Sequence, residues 1–175
     1  TLAADRGRFA RRAAAAGGTV MNRKKYTIRR IRGRRLISDA ARLMAASDPW
    51  LRLGIGYKSC VRNMKTPYRE PHAAVRGGQV IGLVIITMYG TFKGYIQAIC
   101  VAPEERSLGI GARLMRYAER RIYKDSPNVF LCVSSFNKGA IRFYRRLGYS
   151  KAGLLKDFLH KGSSELLLRK TRGPL

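Results

Sequence analysis

One stretch, Tyr95 to Glu119, decides how the chain folds: YIQAICVAPEERSLGIGARLMRYAE. It opens with an apolar run rich in β-branched residues, Ile96 to Val101, which is typical of a buried strand. Pro103 ends that run. A short polar loop with two glycines, Gly109 and Gly111, then leads into an amphipathic helix. The pattern predicts a strand, a glycine-rich loop and a helix in direct succession.

This loop is predicted to bind a phosphate or pyrophosphate group. Glycines let the backbone approach an anion closely, and the first N–H groups of a helix have no intrahelical partner. The loop lacks the Gly-Lys-Ser/Thr of a P-loop, and it lacks the third glycine and the downstream acid of a dinucleotide site. The predicted binding residues are Arg106, Ser107, Leu108, Gly109, Ile110, Gly111 and Ala112.

The segments on either side are predicted to complete an α/β sheet. Before the stretch we expect strands at Tyr26–Ile31, His72–Val75, Gln79–Met88 and Thr91 or Phe92–Val101, helices from Ser38 or Asp39 to Ala46 and from Leu51 to Val61, and a loop at Pro67–Pro71. After it we expect helices at Gly109–Tyr123 and Asn137–Leu147, and strands at Asn128–Val133, Tyr149–Leu155 and Glu165–Arg169. The first of these helices should bury Leu114, Met115, Ala118 and Ile122.

Length and charge favour one domain preceded by a basic segment. A chain of 175 residues can bury one full core, and residues 26–172 carry the pattern of a single domain. Residues 1–25 are rich in Ala, Arg and Gly and are expected to be a disordered leader. Three interpretations compete for it: a non-native or upstream-translated segment, a basic arm, or an organellar transit-like segment. At a net charge of +26, a basic arm is expected to contact polyanions non-specifically.

The composition gives no indication of a membrane or metal protein. The longest apolar run, Val80 to Met88, is too short to cross a bilayer, and we find no secretory signal. Three cysteines, Cys60, Cys100 and Cys132, are expected to be reduced, buried thiols. The two histidines lie far apart, without metal-ligand spacing. We therefore expect a cytoplasmic protein with no metal.

A second motif follows the glycine-rich loop: Asn137-x-x-Ala140-x-x-x-Tyr144-x-x-x-Gly148-Tyr149. Asn137 is suited either to capping its helix or to binding a ligand from the same place. Ala140 is small where a ligand could pass. Tyr144 lies about two turns further along the same helix face, where it either packs in the core or donates its hydroxyl into a cleft.

Together the two motifs resemble those of the GNAT superfamily of acyl-CoA-dependent N-acyltransferases. The likeness covers roughly Thr27 to Lys170. It implies an α/β fold with a mixed, mostly antiparallel sheet, two splayed parallel central strands and about four helices. By resemblance those strands are Ile96–Val101 and Asn128–Val133, and acetyl-CoA would lie in the gap between them.

The resemblance also implies a reaction, in which acetyl-CoA passes its acetyl group directly to an amine acceptor in a ternary complex. Tyr144 would be the general acid that protonates the leaving thiolate. The implied acetyl-CoA-binding set adds Ile99, Cys100, Val101, Asn137, Ala140 and Tyr144 to the loop residues. The substrate pocket is expected to include Asp48, Trp50 and Gln97, although a core role for the tryptophan is the alternative. The acceptor is not identified by the sequence, and either a monomer or a homodimer is expected.

The general base is not assigned by the sequence. Many members of the superfamily carry a carboxylate on the first splayed strand, where this chain has Gln97, which cannot take up a proton. Glu70 or His72 could act through water from a neighbouring strand. Glu104 and Glu105 are expected to be solvated.

Two other functions compete with an N-acetyltransferase. The first is a catalytically silent acetyl-CoA-binding regulatory module, which the missing carboxylate favours and Tyr144 disfavours. The second is a nucleic-acid-binding protein, suggested by the charge alone, since no recognition motif is present.

Overall fold

The computed structural model describes residues 25–159 and 161–174, so nearly all of the predicted basic leader lies outside the described residues. Within that part of the chain, seven strands form one sheet and four α-helices cover its faces. The strands are β1 Thr27–Arg30, β2 Arg69–Arg76, β3 Gln79–Thr87, β4 Tyr95–Val101, β5 Asn128–Ser134, β6 Ser150–Leu155 and β7 Glu165–Thr171. The helices are α1 Arg34–Ala45, α2 Tyr57–Lys65, α3 Ile110–Ile122 and α4 Lys138–Arg146.

The strand order across the sheet is β1-β2-β3-β4-β5-β7-β6. Neighbouring strands are antiparallel everywhere except at the centre, where β4 and β5 run parallel. The predicted mixed sheet with a parallel central pair and about four helices is therefore confirmed.

Two apolar clusters hold the helices against the two faces of the sheet. On one face α1 and α2 pack against β2, β3 and β4, and the buried residues there include Ile37, Met44, Met64, Leu83, Ala98 and Cys100. On the other face α3 and α4 pack against the sheet, with Leu114, Met115, Ile141, Val84, Ile96 and Leu131 among the buried residues. The predicted buried stripe of α3 is confirmed, because Leu114, Met115, Ala118 and Ile122 are all buried.

The two helices before the sheet differ from the prediction. Helix α1 begins at Arg34, because the carbonyl of Gly33 accepts the hydrogen bond that closes the first turn, and Ser38 lies inside the helix. The predicted helix from Leu51 to Val61 is wrong in its first half. Gly54 adopts a left-handed φ of 65°, so the chain runs in turns until α2 begins at Tyr57.

Two strand boundaries also differ. The predicted loop at Pro67–Pro71 is wrong in its second half, because β2 begins at Arg69 and includes the proline. The carbonyl of Pro71 faces the β1 side and accepts a hydrogen bond from the N–H of Ile31, just beyond the last β1 pair. Since the β1 ladder has ended there, the strand tolerates a proline, which has no N–H to donate. Strand β4 begins at Tyr95, since Gly94 turns the chain with a φ of 90°.

Candidate active site

The parallel strands β4 and β5 separate soon after they meet. The described pairs are Tyr95 with Phe130 and Ile96 with Leu131, although both strands continue beyond them. The separation starts at a β-bulge. On the other side of β4, Ile96 and Ala98 pair with consecutive residues of β3, so Gln97 is the extra residue between them. The result is a wedge-shaped cleft, open toward the carboxyl ends of β4 and β5.

The edge of β4 that faces this cleft carries backbone groups from Ile99 and Val101. The N–H of Ala102 donates to the carbonyl of Ile81 on β3, and hydrogen-bonding directions alternate along a strand. The peptide groups of Ile99 and Val101 therefore point toward β5. The side chain of Cys100 points to α1, where its thiol lies 3.3 Å from the Ser47 hydroxyl, so this residue presents no side chain to the α3 side.

The glycine-rich loop lies at the open end of the cleft. Ser107 and Gly109 both adopt left-handed backbone angles, with φ of 63° and 78°. The first hydrogen bond of α3 is donated by Arg113 to the carbonyl of Gly109. The preceding N–H groups, those of Ile110, Gly111 and Ala112, therefore have no intrahelical partner. The loop from Arg106 to Gly109 is exposed, so it is open to a ligand.

The start of α4 lies against this loop. A Cβ added at Gly111 would stand 3.4 Å from Cζ of Phe143, so glycine allows α3 and α4 to approach closely. Asn137 Oδ1 accepts a hydrogen bond from the Ala140 N–H at 3.0 Å, which is the capping geometry. The half-buried Ala140 faces the same core cluster as Phe143.

Tyr144 is buried on the inner face of α4, with 7% of its surface exposed. Its ring lies 5.3 Å from that of Phe143 and 6.0 Å from that of Tyr149. Burial raises the pKa of the Tyr144 hydroxyl, which therefore keeps its proton at neutral pH. Among the described residues, no group hydrogen-bonds that hydroxyl, so the proton is not committed to a neighbour in the core.

A splayed parallel pair beside a glycine-rich helix start is the geometry expected from the sequence, and comparison with known proteins agrees. The model of the acetyltransferase (GNAT) family matches residues 34–149, more than half of the chain. The chain belongs to the GNAT family. This acetyltransferase is therefore an acetyl-CoA-dependent N-acetyltransferase.

Individual relatives of the acetyltransferase act on different amines. It is 27% identical to the N-alpha-acetyltransferase RimI of Mycobacterium tuberculosis over 76% of this chain and 82% of that protein. Its fold matches an aminoglycoside 6'-N-acetyltransferase complexed with coenzyme A, at 20% identity and a TM-score of 0.69, over 85% of this chain and 98% of the other. The ribosomal-protein-S18-alanine N-acetyltransferase of Escherichia coli matches at 16% identity and a TM-score of 0.67, over 86% and 96% of the two chains.

The turn after α1 crosses the cleft of the acetyltransferase on the α1 side. The guanidinium of Arg52 lies 5.3 Å from the ring centroid of Phe136, which follows β5, so the turn bridges the two sides of the opening. Asp48 is exposed and lies 4.0 Å from Arg52. Trp50 is half-buried and packs against the α1–α2 cluster, which fits the core role that the sequence left as an alternative. Gln97 is half-buried in the bulge.

The acids and the histidine that were considered as general bases have other partners or are buried away from the cleft. Glu70 forms a bidentate ion pair with Arg121 of α3, at 2.7 and 2.9 Å. His72 is buried beside the ring of Tyr117, and desolvation lowers its pKa. Both side chains lie on the α3 side of the sheet, because their contacts are with that helix.

Glu105 accepts a hydrogen bond from Arg76 at 2.6 Å, and its side chain is only 12% exposed. The prediction that Glu105 is solvated is therefore wrong. Glu104 is exposed, as predicted. Both glutamates belong to the 3₁₀ turn Pro103–Glu105, and the ion pair makes Glu105 unsuited to taking a proton from a substrate in the cleft.

The sequence reasoning missed a polar cluster on the α1 side of the cleft, formed by Tyr95, Cys132, Ser134 and Glu165. The Tyr95 hydroxyl lies beside the Cys132 thiol, and the Ser134 hydroxyl lies beside the Glu165 carboxyl group, whose pKa it lowers. Cys132 is half-buried, whereas full burial was predicted, and all three cysteines are free. The available signal was the strand alternation of β5 and β7, which places every second residue on one face.

The described residues contain neither a metal-binding cluster nor a membrane-spanning helix. No group of three or more His, Cys, Asp or Glu side chains is arranged to hold a metal ion in the ranges 25–159 and 161–174. No helix in those ranges is long and apolar enough to span a membrane.

Proposed function

We propose that the acetyltransferase moves an acetyl group from acetyl-CoA to an amine by direct attack, with both substrates bound in one cleft. The observation that carries this proposal is the wedge between β4 and β5, which is reached from the α3 side through the glycine-rich loop and bordered on the α1 side by the turn after α1. Two separate entrances allow the two substrates to meet without a covalent enzyme intermediate. Holding them together converts an encounter between two molecules into an internal reaction.

The residues of the loop fit the pyrophosphate of acetyl-CoA. The N–H groups of Ile110, Gly111 and Ala112 are free at the positive end of the α3 dipole, and the loop residues Ser107 and Leu108 precede them. A Cβ at Gly109 would meet open space, so the loop surface is clear for a ligand. Arg106 adds a positive charge there, and on α4 Asn137 and Ala140 would border the pantetheine arm.

The cleft supplies groups for both ends of the reaction. The peptide N–H groups of Ile99 and Val101, held by the strand, would polarise the acetyl carbonyl as its oxygen gains negative charge. Cys100 contributes only its backbone there, because its side chain is bonded on the other face. Tyr144 would give its proton to the sulfur as the C–S bond breaks, and its raised pKa keeps that proton available.

The acceptor is proposed to be the α-amine at the N-terminus of a polypeptide. Three of the matching relatives are named N-alpha-acetyltransferases, at 24% to 30% identity. An α-amine has a pKa of about 7.7–8.0, against about 10.4 for a lysine side chain, so it needs much less help to lose its proton. A chain with a net charge of +26 also disfavours polycationic acceptors such as aminoglycosides.

The test is release of free thiol from acetyl-CoA in the presence of a panel of amines: peptides with a free α-amine, the same peptides blocked at the α-amine but carrying lysine, and an aminoglycoside. Mass spectrometry locates the acetyl group. We expect α-amino peptides to be acetylated at the N-terminus. Acetyl-CoA binding without thiol release for any amine would instead support the silent regulatory module, and acetylation of lysine alone would overturn the proposed acceptor.

We also propose that the basic residues 1–25 give non-specific contact with polyanions, in keeping with the net charge. Binding of a random-sequence oligonucleotide should weaken steeply as salt is raised. It should also weaken when residues 1–25 are removed, and equal binding by the full and shortened chains would contradict the proposal.

A further inference from the structure

Glu165 is a buried acid that has no cation beside it. It is the first residue of β7, faces Ser134 across the β5–β7 ladder, and is 3% exposed. Its Oε1 atom is buried and has no hydrogen-bond partner among the described residues. The Ser134 hydroxyl lies beside the carboxyl group and lowers its pKa. This is unusual in a chain with 36 basic and 10 acidic residues, because a buried carboxylate is costly without a cationic partner.

The other glutamates that are buried or partly buried in the described chain all have cationic partners. Glu70 pairs with Arg121, Glu105 pairs with Arg76, and Glu119 pairs with Lys170 at 2.8 Å. Within the same part of the chain, Glu165 takes part in no ion pair. The missing cation is therefore specific to this one position.

The position of Glu165 is at the open end of the cleft. Pairing between β4 and β5 ends at Leu131, and Ser134 lies three residues further along β5. Val133 belongs to the cluster under α3 and α4, so Ser134 and the facing Glu165 lie on the opposite, α1 side of the sheet. This is the side on which the turn after α1 borders the cleft.

The groups that interact with Glu165 carry no positive charge. Tyr95 on β4 and Cys132 on β5 interact electrostatically with it, and their pKa values are raised by burial, so both are neutral at pH 7. The facing residue on β6 is the apolar Leu155. Burial also raises the pKa of Glu165 itself, which moves it toward the range in which a carboxylate takes up a proton.

We propose that Glu165 receives the ammonium group of the acceptor and removes one of its protons. This rests on the proposed function. The ammonium ion gives a proton to the carboxylate and becomes a neutral amine. Its nitrogen forms the bond to the acetyl carbon, and the C–S bond breaks. The thiolate takes the Tyr144 proton, the tyrosine recovers one from the nitrogen through water, and Glu165 returns its own to solvent.

The decisive variant is Glu165→Gln, which keeps the size and polarity of the side chain beside Ser134 but cannot take up a proton. We expect kcat/KM for the α-amino peptide to fall by on the order of 100-fold at pH 7 and to recover as the pH is raised toward the pKa of the amine. The affinity for acetyl-CoA should not change. Glu119→Gln is the matched control, since it removes another buried carboxylate, on α3, and should lower stability without changing the pH profile.

A second variant tests the same role if Glu165→Gln does not fold. Ser134→Ala keeps the carboxylate but removes the facing hydroxyl, which lowers its pKa, so the acidic limb of the kcat/KM profile should move to higher pH. An unchanged pH profile in Ser134→Ala, or activity of Glu165→Gln within threefold of wild type, would overturn the role of Glu165.

Failure of the proposed function is distinguishable, because it would appear in the wild-type protein as no transfer to any amine. In that case calorimetry of the CoA-bound protein with the α-amino peptide decides. Weaker binding by Glu165→Gln would still support the ammonium site, and equal binding would overturn it.

Discussion

The guanidinium of Arg106 donates a hydrogen bond from Nε to the carbonyl oxygen of Val101, at 3.3 Å, and so ties the glycine-rich loop to the edge of the cleft. Arg106→Ala removes this tie together with a positive charge near the proposed pyrophosphate site. Calorimetry should show acetyl-CoA binding weakened by roughly three- to tenfold. Arg62→Ala, an equal loss of charge at an exposed position of α2, should leave the affinity unchanged. Equal effects from the two variants would mean that only net charge matters.

Gly109→Ala tests the backbone of the loop. Its φ of 78° disfavours any residue with a Cβ, although the surrounding space is open. We expect a loss of about 1 kcal/mol in the free energy of unfolding and weaker acetyl-CoA binding. Gly153→Ala is the control, because Gly153 of β6 has no left-handed φ and an added Cβ would make an ordinary contact of 3.8 Å with Leu167. It should be neutral or slightly stabilising in the same urea titration. A neutral Gly109→Ala would argue against the left-handed loop.

Tyr144→Phe tests the proton donor. It keeps the ring packing and removes the hydroxyl, so kcat should fall by roughly tenfold or more with little change in thermal stability. Tyr149→Phe is the matched control, since its hydroxyl donates to Glu119 at 3.1 Å. That variant should lose about 1 kcal/mol of stability and retain kcat. Unchanged turnover in Tyr144→Phe would leave the tyrosine with a packing role only.

Glu70→Gln separates a structural acid from a catalytic one. The buried ion pair with Arg121 would lose its charge, so the free energy of unfolding should fall by about 1–3 kcal/mol. At 25 °C the folded fraction should turn over normally, because this pair lies on the α3 side of the sheet. A large loss of kcat without a loss of stability would return Glu70 to the list of bases.

Protonation of His72 should make the free energy of unfolding depend on pH in the acidic range. Burial lowers its pKa below the ordinary 6.5, with Arg30 and Arg121 also disfavouring the charged form and Glu70 favouring it. The neutral ring therefore contributes stability that is fully present above pH 6.5 and is lost as pH falls through the lower, folded-state pKa. Thermal melts of His72→Gln should show a smaller decrease between pH 7 and pH 5 than wild type does. Parallel curves for the two proteins would contradict this assignment.

The central part of the fold was predictable because its signals are local. The end of the strand at Val101, the glycine-rich loop and the cap at Asn137 each depend on neighbours within about ten residues, and each is found where it was expected. The start of α2 was not predictable in this way. Gly54 and Gly56 are both compatible with a weak helix, and only the packing of Cys60 and its neighbours under α1 fixes which turns are helical.

The neighbours of Glu165 and Glu105 could not be predicted from their spacing in the sequence. Glu165 and Ser134 lie 31 positions apart, and they become neighbours only because β7 returns between β5 and β6. Glu105 was expected in water for the same reason, since its partner Arg76 belongs to a different hairpin. Sequence patterns gave the faces of individual strands but not the order of strands across the sheet.

The bulge at Gln97 sets which way the second half of β4 faces. If Gln97 took a regular ladder position opposite Ile85, every later position of β4 would exchange faces. Ala98 and Cys100 would then lie under α3, and the peptide groups of Ile99 and Val101 would turn from the cleft toward β3. Deleting Gln97 leaves Ala98 opposite Ile85 and so keeps these faces, and replacing Gln97 by another polar residue should spare the acetyl site as well. The site therefore depends on a residue that stands outside the ladder and not on the side chain that this residue carries.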